Sequence, residues 1–174
     1  MHRRLTVLTL SLVALAGAPQ AGRATDAWGL AKSAVGKSTT GSVEKEINKR
    51  LLAEGRKNQC SFKTDTAELA PGCDAKVKRL ANVLVDAKKK LNAAGVKNFK
   101  FVVSGHTDTT GSAAHNKELS GKRAAVMEHE LEKKGIAAAE IDSVGMGSEQ
   151  PLVKPDDTPE KRAKNRRYEI QVKL

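Results

Sequence analysis

Aromatic residues are scarce in this chain, at 3% of its 174 residues. Proteins that hold single-stranded nucleic acid stack the bases on aromatic side chains, so this composition disfavours nucleic-acid binding. Long apolar runs are also missing, since no stretch approaches the roughly 20 residues that a membrane-spanning helix needs. The sequence therefore indicates neither a nucleic-acid-binding surface nor a segment that spans a membrane.

Positive charge is abundant, because 31 Lys and Arg residues outnumber 20 Asp and Glu residues and the net charge is +11. A surface of this kind is attracted to anionic partners or surroundings. Charge alone does not separate nucleic acid from an anionic cell envelope. The length fits one domain with short extensions.

The first 24 residues have the layout of a secretory signal peptide. Arg3 and Arg4 precede an apolar run, residues 5–16, and small residues follow up to Ala24, after which we place the cleavage. The alternative is a membrane anchor, but about a dozen apolar residues are too few to span a bilayer. No cysteine lies near the cleavage region, so lipoprotein processing is not indicated. The sequence predicts export.

Cysteine is nearly absent too, and the two that occur are Cys60 and Cys73. In an oxidising compartment, two cysteines this close in sequence are predicted to form a disulfide. Closing a loop of this length contributes about 3 kcal/mol in the chain-entropy account. A zinc site would need further Cys or His ligands at suitable spacing, and none flanks these two.

Hydrophobic periodicity divides the remaining chain into helices and strands. We expect residues 25–58 to form a tether followed by an amphipathic helix over 43–56. Beyond them, strands are predicted at 59–63, 99–105, 141–146 and 168–172, and helices at 74–94 and 113–134. Strands that alternate with helices and end in two successive strands indicate an α+β fold, with one mixed sheet and helices packed on it.

The stretch "GHTDTTGS" follows a predicted buried strand and leads into a helix. Open sheets with helices bind ligands at such strand ends. Asp108 lies in this turn, and Asn116 and Arg123 follow on one face of the helix, two turns apart. A carboxylate for an ammonium, a guanidinium for a carboxylate and a neutral amide complement the zwitterionic head of an amino acid. The alternative for Asp108 is a purely structural acceptor of backbone N–H groups.

Two histidines in the same stretch permit a different interpretation. His106, Asp108 and His115 could ligate a metal or support hydrolysis, which would make the protein a metal-dependent or hydrolytic enzyme. However, no H-E-x-x-H ligand motif and no G-x-S-x-G nucleophile motif occurs. We therefore expect no catalytic residue, no metal site and no cofactor.

Several separate motifs then occur in one family's order: "GHTDTTGSAAHNKELSGKRA", "GIAAAEIDSVGMGSEQP" and "KRAKNRRYEI". Together they closely resemble the OmpA-like C-terminal domain, a family that includes the peptidoglycan-associated lipoprotein and the periplasmic part of flagellar stator proteins. The likeness extends over about residues 59–173, and we expect the domain to occupy residues 59–174.

The resemblance implies a β-α-β-α-β-β domain that binds peptidoglycan without catalysis, usually at the meso-diaminopimelate of the stem peptide. By the family motifs, Asp108 binds the ligand's ammonium and Arg123 its carboxylate. Further residues implied at the same pocket are Thr107, Asn116, Arg166 and, from the loop after the first strand, Thr64 and Asp65. Here the family's usual "F-D-x" start of that loop reads Phe62-Lys63-Thr64, which is a departure from the pattern.

The resemblance also bears on location. With the predicted signal peptide it implies a periplasmic protein, associated with the outer membrane or the cell wall, that links envelope components to peptidoglycan. The domain is then expected either to be free in the periplasm or to be recruited by another envelope protein through the segment before residue 59. The enzyme alternative is then a metal-dependent or hydrolytic cell-wall enzyme that uses His106, Asp108 and His115.

Overall fold

The computed structural model describes residues 23–63 and 65–174, with side chains from Thr39 onward. The predicted signal peptide lies outside the described residues apart from its last two positions, and so does Thr64. Within these ranges the helices are α1 (Arg23–Lys57), α2 (Asp74–Ala93), α3 (Ala113–Lys133) and α4 (Pro159–Asn165), with a 3-10 turn at Ala138–Glu140. The strands are β1 (Lys100–His106), β2 (Ile141–Gly147) and β3 (Arg167–Lys173).

The three strands form one mixed sheet in the order β2-β1-β3. Strand β1 runs parallel to β2, with Phe101 opposite Ile141, and antiparallel to β3, with Phe101 opposite Val172. Phe101 and Val103 are fully buried in a core to which α2 contributes Leu84 and Leu91, among others. The α+β class and the mixed sheet with packed helices are thereby confirmed.

Helix α1 differs from its prediction. It begins at Arg23, so the segment expected to be a tether is helical, and the helix predicted over 43–56 is its C-terminal part. The physical reason lies in the many alanines among the small residues, because alanine has the highest helix propensity. Ile47 and Leu51 are each 3% exposed and belong to the main core. Residues Gly36–Leu174 form one compact unit.

The strand expected at 59–63 is reduced to one isolated bridge between Phe62 and Leu69. Side-chain amides occupy the outer edge of β3 instead. Gln59 donates to the Tyr168 carbonyl at 2.8 Å and accepts from the Tyr168 N–H at 3.2 Å. Asn48 donates to the Val172 carbonyl at 3.0 Å and accepts from the Val172 N–H at 2.7 Å. Each amide thus satisfies backbone groups that an edge strand would otherwise leave open.

No helix in the described part of the chain is long and apolar enough to cross a bilayer.

Cys60 and Cys73 are neighbours in the core, both buried and both thiols in this structure. The Cys60 Sγ lies 3.8 Å from the Cys73 carbonyl oxygen. Burial, together with a hydrogen bond involving Cys73, raises the pKa of the Cys60 thiol to about 12. The structure therefore does not contain the expected disulfide, although it brings the two residues side by side, and the bridge stays a prediction.

Thiol titration tests the bridge. For protein purified from an oxidising compartment and unfolded without reductant, we expect no reactive thiol, and finding two would contradict the disulfide. After reduction and refolding, both thiols should react much more slowly than in the unfolded chain. The reason is that the nucleophile is the thiolate, which burial and the raised pKa of Cys60 suppress.

Candidate functional site

A cleft of about 900 Å³ opens at the carboxyl end of β1. The turn after β1, the start of α3, the loop after Phe62 and the start of β3 surround it. The cleft brings together all the predicted site residues that the structure describes: Asp65, Thr107, Asp108, Asn116, Arg123 and Arg166. Thr64 lies outside the described residues. The sequence-based selection therefore converges on one place in the fold.

Two glycines allow α3 to approach the sheet closely enough to form the cleft. A Cβ added to Gly105 in β1 would lie 2.2 Å from the Ser120 carbonyl oxygen, and one on Gly145 in β2 would lie 2.5 Å from the Lys117 carbonyl oxygen. Ser120 adds a hydrogen bond of 2.8 Å from the Gly147 N–H to its hydroxyl. These contacts set the height of α3, and with it the position of Arg123, relative to the turn after β1.

Asp108 is almost buried, with its side chain 9% exposed. Its Oδ1 accepts the Thr110 N–H at 3.0 Å and also the Thr110 hydroxyl. Its Oδ2 accepts from Arg166 Nη1 at 2.7 Å. Burial alone would raise the pKa of Asp108, but the hydrogen bonds from Thr110 and Arg166 outweigh it and lower the pKa below its usual value. Asp108 is thus both a structural acceptor in the turn and half of an ion pair.

Arg123, on α3, is held in the cleft wall by the loop after Phe62. It is 8% exposed, and its guanidinium lies over the Phe62 ring at 5.1 Å from the ring centre. Nε donates to the Thr66 carbonyl at 2.8 Å and Nη2 to the Lys63 carbonyl at 3.3 Å. Burial, followed by the neighbouring charge of Arg166, lowers the pKa of Arg123. Two of the five N–H donors thus anchor the loop, and the others remain for a ligand anion.

Asn116 stabilises the turn after β1 through its side-chain amide. Its Nδ2 donates to the Asp108 carbonyl at 3.3 Å and to the Thr110 carbonyl at 2.8 Å, and the residue is 4% exposed. Both amide protons are therefore engaged in closing the turn. Only the amide oxygen is left for a ligand.

Arg166 caps the C-terminus of α4 and Arg167 begins β3, and the two side chains have different partners. Arg166 faces the cleft and pairs with Asp108, while its side chain stays 44% exposed. Arg167 is 7% exposed, pairs with Glu169 at 2.8 Å and donates to the Gln150 carbonyl at 3.1 Å. Only Arg166 can therefore act at the Asp108 end of the cleft.

The three residues of the enzyme alternative, His106, Asp108 and His115, have different surroundings. His106 is 2% exposed, and neither ring nitrogen has a hydrogen-bond partner in the structure. Burial, and then the charge of Arg167, lowers the pKa of His106 to about 4. His115 Nε2 meets Asp65 Oδ1 at 2.8 Å on the exposed rim. Across the described residues, no three or more His, Cys, Asp or Glu side chains are grouped so as to hold a metal ion.

The sequence did not indicate the residues that stabilise the turn after β1 through hydrogen bonds from distant loops. Asp156, 8% exposed, accepts the Thr109 N–H at 2.9 Å, the Thr109 hydroxyl and, at 3.0 Å, the Asn165 amide. Asn165 is fully buried, and its Oδ1 also accepts the N–H groups of Leu152 and Val153. No periodicity marks such contacts, because they join distant loops.

The Asp156 network should appear in the acid stability of the fold. The hydrogen bonds from Thr109 and Asn165 lower the pKa of Asp156 to about 2 from an ordinary value of 3.8. Its stabilising contribution is therefore complete above about pH 4 and is lost as the pH falls toward 2. We expect Asp156→Asn to reduce the pH dependence of the unfolding midpoint in this window. Equal slopes in the variant, the wild type and the control Asp142→Asn would contradict this role.

Comparison with known proteins identifies relatives of this domain. The sequence profile of the OmpA family matches residues 61–166. The peptidoglycan-binding protein ArfA of Mycobacterium tuberculosis is 38% identical over 112 residues, which cover 64% of this chain and 31% of ArfA. The peptidoglycan-associated lipoprotein of Mesorhizobium japonicum is 25% identical over 154 residues, which cover 87% of this chain and 81% of the lipoprotein.

Among solved structures, the peptidoglycan-associated lipoprotein from Burkholderia pseudomallei has a TM-score of 0.54 at 22% identity, covering 66% of this chain and 89% of that one. At this identity the likeness concerns the fold. The chain spans less than a third of the length of curated relatives such as ArfA.

Proposed function

Because the chain belongs to the OmpA family, we propose that it is a noncatalytic binding protein of the cell envelope. Its ligand is peptidoglycan, which it recognises at the meso-diaminopimelate of the stem peptide. The distal end of that residue carries an ammonium and a carboxylate on one carbon. The names of relatives such as ArfA describe peptidoglycan binding, which agrees with this choice.

The observation that carries the proposal is the placement of opposite charges in one cleft. Asp108 and Arg166 lie at one end, and Arg123 lies on the wall formed by α3, anchored by backbone carbonyls. Asp108 supplies an acceptor for the ligand's ammonium, and Arg123 supplies guanidinium N–H groups for its carboxylate. Both side chains are nearly buried, and charged hydrogen bonds formed away from water are stronger than those at an exposed surface.

The proposed location is the periplasm, in association with the cell wall or the outer membrane, and the predicted signal peptide supports it. The net charge of +11 suits an anionic envelope, although attraction by charge alone is weakened by salt. We further propose that the N-terminal segment recruits another envelope protein. A truncation that tests this should remove only residues 25–38, because Ile47 and Leu51 belong to the core, and unchanged localisation would count against it.

Sedimentation with purified sacculi tests the main proposal. We expect the protein to sediment with sacculi at moderate salt, and free meso-diaminopimelate to release it. Arg123→Ala should also abolish sedimentation while the protein remains folded. Binding that persists with the free amino acid but disappears when salt is added would show that the basic surface binds the sacculi by charge. The stem-peptide proposal would then be wrong.

A further inference from the structure

We propose that Arg166 is the residue that sets ligand specificity, through exchange of its ion pair with Asp108. A ligand end that carries both an ammonium and a free carboxylate replaces both halves of this pair. An end that lacks the carboxylate, or carries it as an amide, replaces only one half. The inference rests on the proposed function and goes further by naming which chemical form of the stem peptide the cleft takes.

Both carboxylate oxygens of Asp108 already accept hydrogen bonds. Oδ1 holds the turn through the N–H and hydroxyl of Thr110, and Oδ2 holds Arg166 at 2.7 Å. An ammonium that binds Oδ2 must therefore lie beside the Arg166 guanidinium or displace it. An ammonium and a guanidinium that bind the same carboxylate oxygen repel each other. A ligand that brings only an ammonium therefore competes with Arg166 for Asp108.

The Arg166 side chain is more exposed and has fewer contacts than that of Arg123, so it is freer to rotate. The Arg166 side chain is 44% exposed, while Arg123 is 8% exposed and tied to the Thr66 and Lys63 carbonyls and the Phe62 ring. Rotation of Arg166 away from Asp108 leaves the guanidinium in partial contact with water. The two arginines thus have different roles. Arg123 binds the ligand's carboxylate from a fixed position, and Arg166 rotates away from Asp108 to bind the same carboxylate.

A zwitterionic end leaves every charge in the cleft with a partner. Its ammonium takes the place of the guanidinium at Asp108, and its carboxylate accepts from Arg166 as well as from Arg123. Planar guanidinium groups suit a carboxylate geometrically. With a carboxamide in place of the carboxylate, Arg166 loses an anionic partner and gains none. The cleft discriminates because a ligand must replace the interactions that it breaks.

The excess of positive charge around the cleft also disfavours a ligand that brings only an ammonium. Besides the two arginines already discussed, the cleft is lined by Arg56, Arg162, Lys164 and Arg167, whereas Asp65 and Asp108 are its only carboxylates among the described lining residues. An added cation is therefore unfavourable here unless an anion accompanies it.

The experiment uses four synthetic tripeptides, L-Ala-γ-D-Glu-X, whose third residue differs only at its distal end. X is meso-diaminopimelate with a free distal carboxylate, the same residue with that carboxylate amidated, L-lysine with the ammonium alone, or 2-aminopimelate with the carboxylate alone. Affinities are measured by calorimetry on the whole protein. We expect the free diaminopimelate peptide to bind at least about tenfold more tightly than each of the other three.

Substitution of Arg166 gives the result that separates exchange from an ordinary contact. Arg166→Ala should weaken the free diaminopimelate peptide and strengthen the lysine peptide, because Asp108 then accepts an ammonium without competition. Lys164→Ala is the matched control, since it removes the same charge from the same cleft and leaves the ion pair in place. Lys164→Ala should change each of the four affinities only according to the net charge of the peptide.

The outcomes are distinct. Tight binding of the free diaminopimelate peptide, with opposite shifts of the two peptides in Arg166→Ala, supports the exchange. If the wild type binds the free and amidated peptides equally, or if Arg166→Ala and Lys164→Ala behave alike, the inference is wrong and the proposed function stands. If the wild type binds none of the four tripeptides, the proposed function fails and the inference with it. Circular dichroism of both variants establishes that they are folded.

Discussion

Asp108→Asn is expected to weaken binding to the diaminopimelate end of the stem peptide by a factor of about 30 or more. The substitution keeps the shape of the side chain and an oxygen that can accept the Thr110 N–H, now 3.0 Å from Oδ1. It removes the negative charge that the ligand's ammonium would meet in a nearly buried place. The loss should therefore concern affinity and leave the fold intact, as calorimetry and thermal unfolding of the same sample can show.

The matched control for this variant is Asp157→Asn. Asp157 forms an exposed ion pair with Lys161, and its replacement changes the net charge of the protein by the same amount. Exposed pairs of this kind contribute little, so binding should stay close to that of the wild type. A folded Asp108→Asn protein that binds as tightly as the control would remove Asp108 from the binding site.

Gly105→Ala is expected to destabilise the fold by about 3 kcal/mol or more, through overpacking between β1 and α3. The new Cβ would lie 2.2 Å from the Ser120 carbonyl oxygen, which is backbone of a packed helix and cannot rotate away. Relief requires α3 to move from the sheet, and α3 carries Asn116 and Arg123. Chemical denaturation should therefore show lower stability, and the surviving folded protein should bind its ligand less well.

The control is Gly41→Ala in α1, where nothing lies within 4 Å of the added Cβ. Glycine within a helix is less favourable than alanine by roughly 0.5–1 kcal/mol, so this substitution should leave stability unchanged or raise it slightly. If both glycine variants have the stability of the wild type, the close approach of α3 to β1 is not as described. A selective loss in Gly105→Ala would show that this contact positions the cleft wall.

Local patterns allowed much of the fold to be predicted. Helix α2 was expected at 74–94 and ends at Ala93, and the strand expected at 99–105 appears as Lys100–His106. The tether prediction failed on local propensity: small residues before Thr40 were interpreted as a tether, but they include several alanines and α1 begins at Arg23. The first-strand prediction failed where packing decides. A strand was expected at Gln59, whose side chain instead pairs with the edge of β3.

The sequence was enough to predict the α+β class and to propose Asp108 and Arg123 as the charged residues of a site at the end of β1. These conclusions rest on periodicity and on motifs of contiguous residues. Three contacts could be recognised only in the folded chain: Arg166 pairs with Asp108 across 58 positions, the carbonyls of a loop anchor Arg123, and Asp156 supports the turn. The reason is physical: such contacts depend on how distant elements pack and where their side chains point, which spacing along the chain does not record.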